Sequence, residues 1–429
     1  MASVVVVGAG AMGLAAAYHA AKAGHDVTVL EAGPVAGGMA AHSDFAGDSV
    51  ERFYHFVCKA DRPTFELLDE IGLGEAMCWR KTTMGLFAGG KLHEWGTPTA
   101  LLKFPGVSLL GRLRYGLLAF VSTKRERWDA LENESARDWI IRWSGRDVYE
   151  KLWKPLFHFK FYEYESEISA AWIWTRVKRL GRSRKSMFEE QLGYIEGGSQ
   201  ALVDRLVERI IEFAGTVRLR AVVSQITAEN GCVTGVRVGD EFLPADHVIC
   251  TVPTPYVSPI VPTLPEDWKE RYQSIRNIGV VCLLFKLKRP VSPHFWVNIV
   301  EPGMEIPGIV EFSNLRPFDD TIVFVPYYMP AEHEKFSWPD ERILGEAFGY
   351  LQRINPDLVP TDIIAQQASR LRHAQPICEA GFAAKIPPVQ TPIAGLQIAD
   401  TCFYYPEDRG ISESVRFGKE MAQRLDGRS

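Results

Sequence analysis

The sequence predicts an α/β protein that opens with a strand, a helix and a second strand around a glycine-rich turn. Residues 3–7 form a short run of mostly β-branched residues, typical of a buried parallel strand. The stretch GAGAMG follows at residues 8–13 and leads into alanine-rich helical sequence up to about residue 23. A second strand over residues 26–30 ends at Glu31. Together these observations predict one βαβ unit with a phosphate-binding first turn.

Each glycine of this turn has a physical role. Gly8 allows the tight turn, Gly10 lets a pyrophosphate approach the backbone, and Gly13 lets the helix pack closely on the strand. The helix begins at Ala11 and Met12, where unpaired N–H groups and the positive end of the helix dipole favour phosphate. The turn therefore predicts a bound dinucleotide.

The acid and the glycines that follow narrow the choice of dinucleotide. Glu31 lies 18 positions after Gly13, close to the spacing at which an acid binds ribose hydroxyls. Ala32 and Gly33 come next and provide no arginine for a 2′-phosphate, which disfavours NADP. The doublet GG at residues 37–38 offers more backbone surface for a cofactor that runs on past the first turn. We therefore expect FAD.

The combined pattern of GxGxxG, an acid and the doublet Gly37-Gly38 resembles the superfamily of flavin amine oxidases, phytoene desaturases and protoporphyrinogen oxidases. The resemblance implies non-covalent FAD and a monoamine-oxidase-like architecture, in which a Rossmann-like domain carries a second, α+β substrate domain. Met39 follows the doublet, where the superfamily often has an arginine. The resemblance adds Ala32 and Met39 to the expected cofactor contacts.

Two later segments extend the resemblance. The string AVVSQI is similar to the strand that lays a backbone amide against the adenine, which would be the amide of Val223. A strand over residues 395–400 ends at Asp400, where the superfamily's acid meets the pyrophosphate or ribityl hydroxyls. The resemblance places the N–H groups at Gly410, Ile411 and Ser412 against the flavin O2 edge, where a helix N-terminus stabilises negative charge.

Two residues are candidates for catalysis. His55 lies in a segment that returns towards the flavin in the superfamily; the more common alternative is a partly buried histidine in an aromatic cluster. Tyr404 lies in the segment TCFYYPEDR that precedes the flavin-facing turn. In the oxidase branch a lysine holds a water near flavin N5, but Cys282 stands there and Lys286 comes four positions later. The resemblance therefore implies a dehydrogenase or desaturase that reacts slowly with oxygen.

The length of 429 residues suits two domains. By resemblance, residues 1–75, 193–258 and 386–429 form a discontinuous FAD-binding domain. Residues 76–192 and 259–385 form the substrate domain.

Composition excludes several classes of protein. The net charge of −5 provides no general attraction for nucleic acid. The seven cysteines are scattered without a CxxC pair, which favours reduced thiols and a cytoplasmic location. The histidines show no metal-ligand spacing, so we expect no metal. No window of about 18 apolar residues predicts a transmembrane helix, and the N-terminus lacks the basic region of a signal peptide.

Two basic stretches leave alternatives open. Residues 105–128 mix leucines with five basic residues and form either a core helix with a charged exposed face, the more common case, or an interfacial helix. Residues 176–185 form either a solvated basic loop or a contact for phosphate or an anionic membrane surface. Peripheral membrane contact is thus an alternative in both stretches.

The sequence favours an FAD-dependent oxidoreductase that oxidises or desaturates a small molecule by hydride transfer to flavin N5. Many aromatic residues between 153 and 174 favour an apolar or ring-shaped substrate. One alternative is a non-redox flavoenzyme acting on a nucleotide sugar, similar to UDP-galactopyranose mutase, which shares the opening motif. Another is a binding protein of the same fold without a cofactor, similar to Rab GDP-dissociation inhibitors.

Overall fold

Valine-rich strands pair into a parallel sheet, as the β-branched runs of the sequence predict. The computed structural model describes residues 1–104, 106–186 and 189–427, so the last two residues of the predicted FAD-binding segment 386–429 lie outside it. Its four strand pairings are all parallel. In spatial order the five strands are Thr216–Arg218, Asp26–Leu30, Ser3–Val7, His247–Cys250 and Leu396–Ile398. The sheet thus takes strands from all three segments predicted to form the FAD-binding domain.

The first and last helices of the chain cross closely beside this sheet. They are Ala11–Lys22 and Ile411–Leu425. A Cβ atom on Gly418 would lie 2.4 Å from the carbonyl oxygen of Met12, so only glycine permits this approach. The crossing fixes the start of the C-terminal helix relative to the glycine-rich turn.

A three-stranded antiparallel sheet continues from the parallel one. Its strands are Val223–Glu229, Cys232–Val238 and Glu241–Pro244. The chain leaves the parallel sheet after Arg218 because the amide of Ala221 donates to the carbonyl oxygen of Glu31 at 2.8 Å.

A seven-stranded mixed sheet forms the second large layer. It takes five strands from residues 277–376 and two from residues 84–95. All its pairings are antiparallel except that between Trp296–Ile299 and Met84–Ala88. In spatial order the strands are Ile363–Pro376, Asn277–Leu287, Thr321–Met329, Gly308–Glu311, Trp296–Ile299, Met84–Ala88 and Lys91–Trp95.

Smaller elements link the two layers. A hairpin joins His42–Phe45 to Asp48–Glu51, and a three-stranded sheet joins Met77–Thr82, Glu189–Ile195 and Arg184–Ser186. The predicted domain boundary at 192/193 falls inside one of these strands and stays a prediction. The other described α-helices are Arg62–Ile71, Pro98–Lys103, Leu109–Lys124, Ala136–Ser144, Arg146–Val148, Lys154–Phe161, Ala170–Arg182, Ser199–Glu212, Val257–Ile260, Glu266–Ser274 and Asp340–Ile354.

The basic stretch 176–185 is mostly the end of a helix, so the expectation that it forms a solvated loop is wrong. Residues up to Arg182 belong to the helix Ala170–Arg182. Its cations pair within the chain: Arg179 with Asp61 at 2.6 Å, and Lys178 and Arg182 with Glu126. These ion pairs weaken the case for this stretch as an anion-binding surface.

The helix Leu109–Lys124 turns four of its five leucines outward, against the core-helix alternative that composition favoured. It buries only Gly111, Leu118 and Ser122. Its outward residues and Leu102 form a row that we call the apolar ridge: Leu102, Leu109, Leu110, Leu113, Leu117 and Phe120, each at least 45% exposed. Pro105, the first residue of the predicted stretch, lies outside the described residues. Within the described ranges no helix has the length and apolar character needed to span a bilayer.

Candidate functional site

One large cavity joins the glycine-rich turn to the aromatic part of the fold. Its volume is about 1830 Å³. Gly13 and Ser412 are buried behind it and do not line it. The other predicted site residues line it: Gly8, Gly10, Ala11, Met12, Glu31, Ala32, Gly37, Gly38, Met39, His55, Val223, Asp400, Tyr404, Gly410 and Ile411.

The glycines of the first turn differ in what surrounds them. Gly8 has a φ of +101°, which favours glycine, and its amide donates to the carbonyl oxygen of Leu30. A Cβ on Gly13 would lie 1.9 Å from the carbonyl oxygen of Gly8, so this glycine is needed for close packing. A Cβ on Gly10 would meet nothing within 4 Å. The space beside Gly10 is therefore open, as a bound pyrophosphate requires.

Two helix N-termini face this cavity. The helices Ala11–Lys22 and Ile411–Leu425 begin after Gly10 and Gly410, and neither has a side-chain cap. The first N–H groups of a helix lack partners within the helix and favour anionic ligands. A Cβ on Gly410 would also meet nothing within 4 Å. Both ends therefore offer N–H groups to an anionic ligand in the cavity.

Glu31 is held at the edge of the cavity by the backbone. Its carboxylate accepts hydrogen bonds from the amides of Ala9 at 2.8 Å and Gly33 at 2.7 Å. Each oxygen keeps a lone pair that a ribose hydroxyl can use. The bond from Ala221 to the Glu31 backbone brings Val223, two residues later, to the same end of the cavity. These residues fit the adenosine part of a dinucleotide.

Asp400 ties two segments together. Its two oxygens accept hydrogen bonds from the amides of Thr254 at 2.7 Å and Cys402 at 2.8 Å. Burial raises the pKa of this carboxyl, and the hydrogen bonds oppose the rise. Asp400 therefore has a structural role, while its contact with the cofactor stays a prediction.

The two candidate catalytic residues line the cavity, but neither is an effective base. Burial lowers the pKa of His55 to about 4, so its imidazole is neutral at pH 7. Within the described chain, His55 Nδ1 is buried without a hydrogen-bond partner. Burial raises the pKa of Tyr404, and its hydroxyl lies 2.8 Å from Ser414 Oγ in the C-terminal helix. Their catalytic roles stay predictions.

Cys282 lies at the cavity wall as the strand pattern predicts. The strand Asn277–Leu287 alternates, so Cys282 packs with one core cluster while Val281 and Leu283 pack with the other. Burial raises the pKa of Cys282 to about 12, so the thiol stays protonated. Lys286 does not line the cavity; its ammonium lies 2.8 Å from Asp48.

Sequence reasoning placed Trp172 among the aromatic residues of a pocket but missed the polar and charged side chains that lie near it. Arg409 Nη2 donates to the hydroxyl of Tyr328 at 3.1 Å, and that hydroxyl lies 3.4 Å from the hydroxyl of Tyr54. Lys160 and Trp172 pack beside them. These residues come from distant parts of the chain, so no local motif identifies them.

Comparison with known proteins agrees with this geometry. Residues 13–385 match the family described as flavin containing amine oxidoreductase. A 15-cis-phytoene desaturase from Capsicum annuum is 26% identical over 389 residues, covering 84% of this chain and 66% of that protein. The curated relatives that it matches are longer than this chain, which spans about half to two thirds of their length.

Solved structures share the fold. Wild-type putrescine oxidase aligns with a TM-score of 0.74 at 19% identity, covering 100% of this chain and 99% of that one. Reduced UDP-galactopyranose mutase aligns with a TM-score of 0.78 at 15% identity, covering 100% and 96%. At these identities the likeness concerns the fold alone.

The fold and the open glycine-lined end of the cavity define a flavoprotein of the two-domain, monoamine-oxidase-like type. The chain belongs to the family of flavin containing amine oxidoreductases.

Proposed function

We propose that this protein oxidises or desaturates an apolar or ring-shaped substrate bound in the cavity beside FAD. FAD, when bound, supplies the acceptor for a hydride at its N5 atom. The observation that carries this proposal is the continuity of the cavity. It runs without interruption from the open space at Gly10 to the aromatic residues around Trp172 and Tyr328.

The size of the cavity supports two ligands. Pockets for one small molecule are usually about 300–1,000 Å³, and this cavity is larger. We assign its glycine-rich end to FAD, held by Glu31, the open backbone at Gly10 and the helix end at Gly410. The rest is lined mainly by apolar and aromatic side chains and is left for the substrate.

The residues around the substrate region orient and shield it. Tyr54 and Tyr328 form a hydrogen-bonded pair of hydroxyls among aromatic rings, with Arg409 and Lys160 beside them. The pKa of Tyr54 is raised well above its ordinary value by burial, so this hydroxyl stays neutral. The surrounding aromatic rings favour an apolar or ring-shaped substrate.

The apolar ridge supports contact with a membrane surface as part of this function. Four ridge residues, Leu102, Leu113, Leu117 and Phe120, also line the cavity, so the ridge continues into the substrate region. Exposed Lys103 and Lys124 border it and suit anionic headgroups. A substrate dissolved in a bilayer would enter the cavity beside the ridge without crossing water.

The nucleotide-sugar alternative is supported by shape alone. The basic stretch 176–185 was the predicted contact for a diphosphate, and its Arg179 and Arg182 are already paired with carboxylates. We therefore rank a mutase below an oxidoreductase for this chain.

The proposed function is tested by an anaerobic screen for loss of the flavin's long-wavelength absorbance. The panel is a linear polyene delivered in vesicles, a porphyrinogen-type ring, an aryl amine and UDP-galactopyranose. We expect bleaching by an apolar or ring-shaped member and none by the nucleotide sugar. A flavin that no apolar member reduces would contradict the proposal.

A further inference from the structure

Lys160 stands out because its amine lies among aromatic rings at the cavity wall. It belongs to the helix Lys154–Phe161 and lines the cavity. Its Nζ atom lies 5.0 Å from the ring centroid of Tyr328, 5.5 Å from that of Trp172 and 5.7 Å from that of Phe161. Among the residues that the structure describes, none forms an ion pair or hydrogen bond with this amine.

The charged groups facing Lys160 are Arg176, Asp408 and Arg409. Arg176 Nη1 lies 2.7 Å from Asp408 Oδ2, so the single carboxylate is already matched. Burial, followed by the repulsion of Arg176 and Arg409, lowers the pKa of Lys160 well below 10.5, while Asp408 opposes this. The free amine is therefore far more abundant near neutral pH than in an ordinary lysine.

The other groups that the sequence proposed cannot supply such a base. His55 has a pKa near 4 and is weakly basic, and the thiol of Cys282 stays protonated. Tyr404 is hydrogen-bonded into the C-terminal helix. An efficient base has a pKa near the working pH, which burial of a lysine can provide.

Lys160 also lies near the predicted flavin-facing turn. Its Nζ packs over the ring of Tyr328, whose hydroxyl accepts a hydrogen bond from Arg409 Nη2 at 3.1 Å. Arg409 immediately precedes Gly410, the start of the helix that faces the cavity. One tyrosine thus lies between the amine and this turn.

We propose that Lys160 is the general base of the substrate oxidation, a role that rests on the proposed function. FAD, when bound, would accept one substrate hydrogen together with the electron pair of its C–H bond, as a hydride. A second hydrogen leaves the neighbouring carbon or nitrogen as a proton and bonds to the lone pair of Lys160 Nζ. The electron pair left behind forms the new double bond. Three ring faces and the nearby Asp408 then stabilise the ammonium.

Two variants distinguish a general-base role of Lys160 from a role of its positive charge alone. We expect Lys160→Met and Lys160→Arg holoenzymes to reduce their flavin roughly 10²- to 10⁴-fold more slowly with the substrate found in the screen. Arginine keeps the charge but cannot lose its proton, so a charge-only role would leave Lys160→Arg active. Lys178→Met is the matched control: Lys178 lies 4.5 Å over the ring of Trp174 and does not line the cavity. Its rate should match wild type.

The pH dependence of flavin reduction distinguishes a base from a residue that acts only in the structure. The wild-type rate of flavin reduction should fall as pH drops through the pKa of Lys160, because the protonated amine cannot act as a base. Lys160→Met should lose this limb, and added ethylamine should restore part of the rate in Lys160→Ala. A limb unchanged in Lys160→Met would overturn the proposal.

A chemical measurement tests the amine without any substrate. The holoenzyme is labelled with trace acetic anhydride across a pH series, and the Lys160 peptide is quantified by mass spectrometry. We expect half-maximal labelling at a pH below 10.5; labelling at 10.5 would overturn the proposal even if substrates bleach the flavin. If no substrate in the screen bleaches the flavin, the proposed function fails, and the role of Lys160 fails with it.

Discussion

Gly10 and Gly13 differ in what a single methyl group would meet, although the motif treats them alike. A Cβ on Gly10 projects into open space, whereas one on Gly13 would collide with the backbone of Gly8. Gly10 therefore serves the ligand, and Gly13 serves the packing of the helix on the strand. This difference separates binding from folding at the scale of one residue.

We expect Gly10→Ala to fold with an unchanged melting temperature in the apoprotein and to bind FAD at least tenfold more weakly. Gly10 has a φ of −71°, which alanine adopts without strain. Gly13→Ala should instead lower the melting temperature or yield insoluble protein. Thermal unfolding and FAD titration of both variants provide the check. Equal FAD affinity in Gly10→Ala and wild type would show that the pyrophosphate lies elsewhere.

Local spacing explains why these glycines and Glu31 could be predicted, while Lys160 could not. The glycine-rich turn, the helix and the acid lie within 31 consecutive residues, so their geometry follows from one βαβ unit. Lys160, Trp172 and Tyr328 meet only because a helix packs against the seven-stranded sheet. Tertiary packing of this kind leaves no periodic signal in the sequence.

At the scale of elements, the helix Leu109–Lys124 shows how composition misleads. Leucine-rich helices usually belong to a core, but this one faces four of its five leucines outward beside the cavity. An outward apolar row costs solubility unless another surface covers it. A membrane surface is the covering we infer.

We expect the wild-type protein to sediment with anionic vesicles. A triple variant, Leu110→Glu, Leu113→Glu and Leu117→Glu, should bind at least tenfold more weakly, since each change removes apolar burial and adds repulsion from the headgroups. The control places glutamate at Ile211, Phe242 and Val359, which are also exposed apolar residues but lie outside the ridge. An equal loss of vesicle binding in both triple variants would argue against the ridge as the membrane contact. So would self-association of the wild-type protein that disappears in the ridge variant.

The strand Asn277–Leu287 predicts slow reaction with oxygen. Cys282 presents a neutral thiol to the cavity, and Lys286 is held by Asp48 away from it. Oxygen reduction benefits from nearby positive charge, which this strand does not supply. After anaerobic photoreduction, mixing with aerated buffer in a stopped-flow instrument should show reoxidation slower than turnover and faster with a quinone. Cys282→Lys should speed the reaction in air; reoxidation as fast as turnover in wild type would contradict the account.

Across the whole molecule, the sequence did not predict how far the sheets extend. The parallel sheet draws strands from the segments around Ser3, Val217, Val248 and Leu396, and the assignment of these segments to an FAD-binding domain stays a prediction. The seven-stranded sheet recruits Met84–Ala88 and Lys91–Trp95 across long separations. Strand pairing over such distances depends on the assembled core, which no local pattern encodes.

Buried Glu311 should make the stability of the whole fold depend on pH. It accepts a hydrogen bond from the Ser292 amide at 2.6 Å, and burial raises its pKa to about 8 from 4.5. The folded state therefore keeps a proton that the unfolded state loses between pH 4.5 and 8, and stability falls as pH rises through this window. The steepest slope from one such group is about 1.4 kcal/mol per pH unit.

Glu311→Gln mimics the protonated acid and should flatten this fall. Denaturant unfolding at several pH values between 5 and 8 measures the slope. The exposed Glu341→Gln serves as the control and should leave the slope unchanged. A Glu311→Gln variant with the wild-type slope would show that this carboxyl does not hold the proton.

The central claim is that the large cavity is a site for non-covalent FAD, and flavin content tests it most directly. The purified protein is precipitated with acid, and flavin in the supernatant and pellet is identified and quantified against protein. We predict one FAD per chain, all of it in the supernatant. A colourless protein that takes up no added FAD, or yellow colour retained in the denatured pellet, would contradict the account.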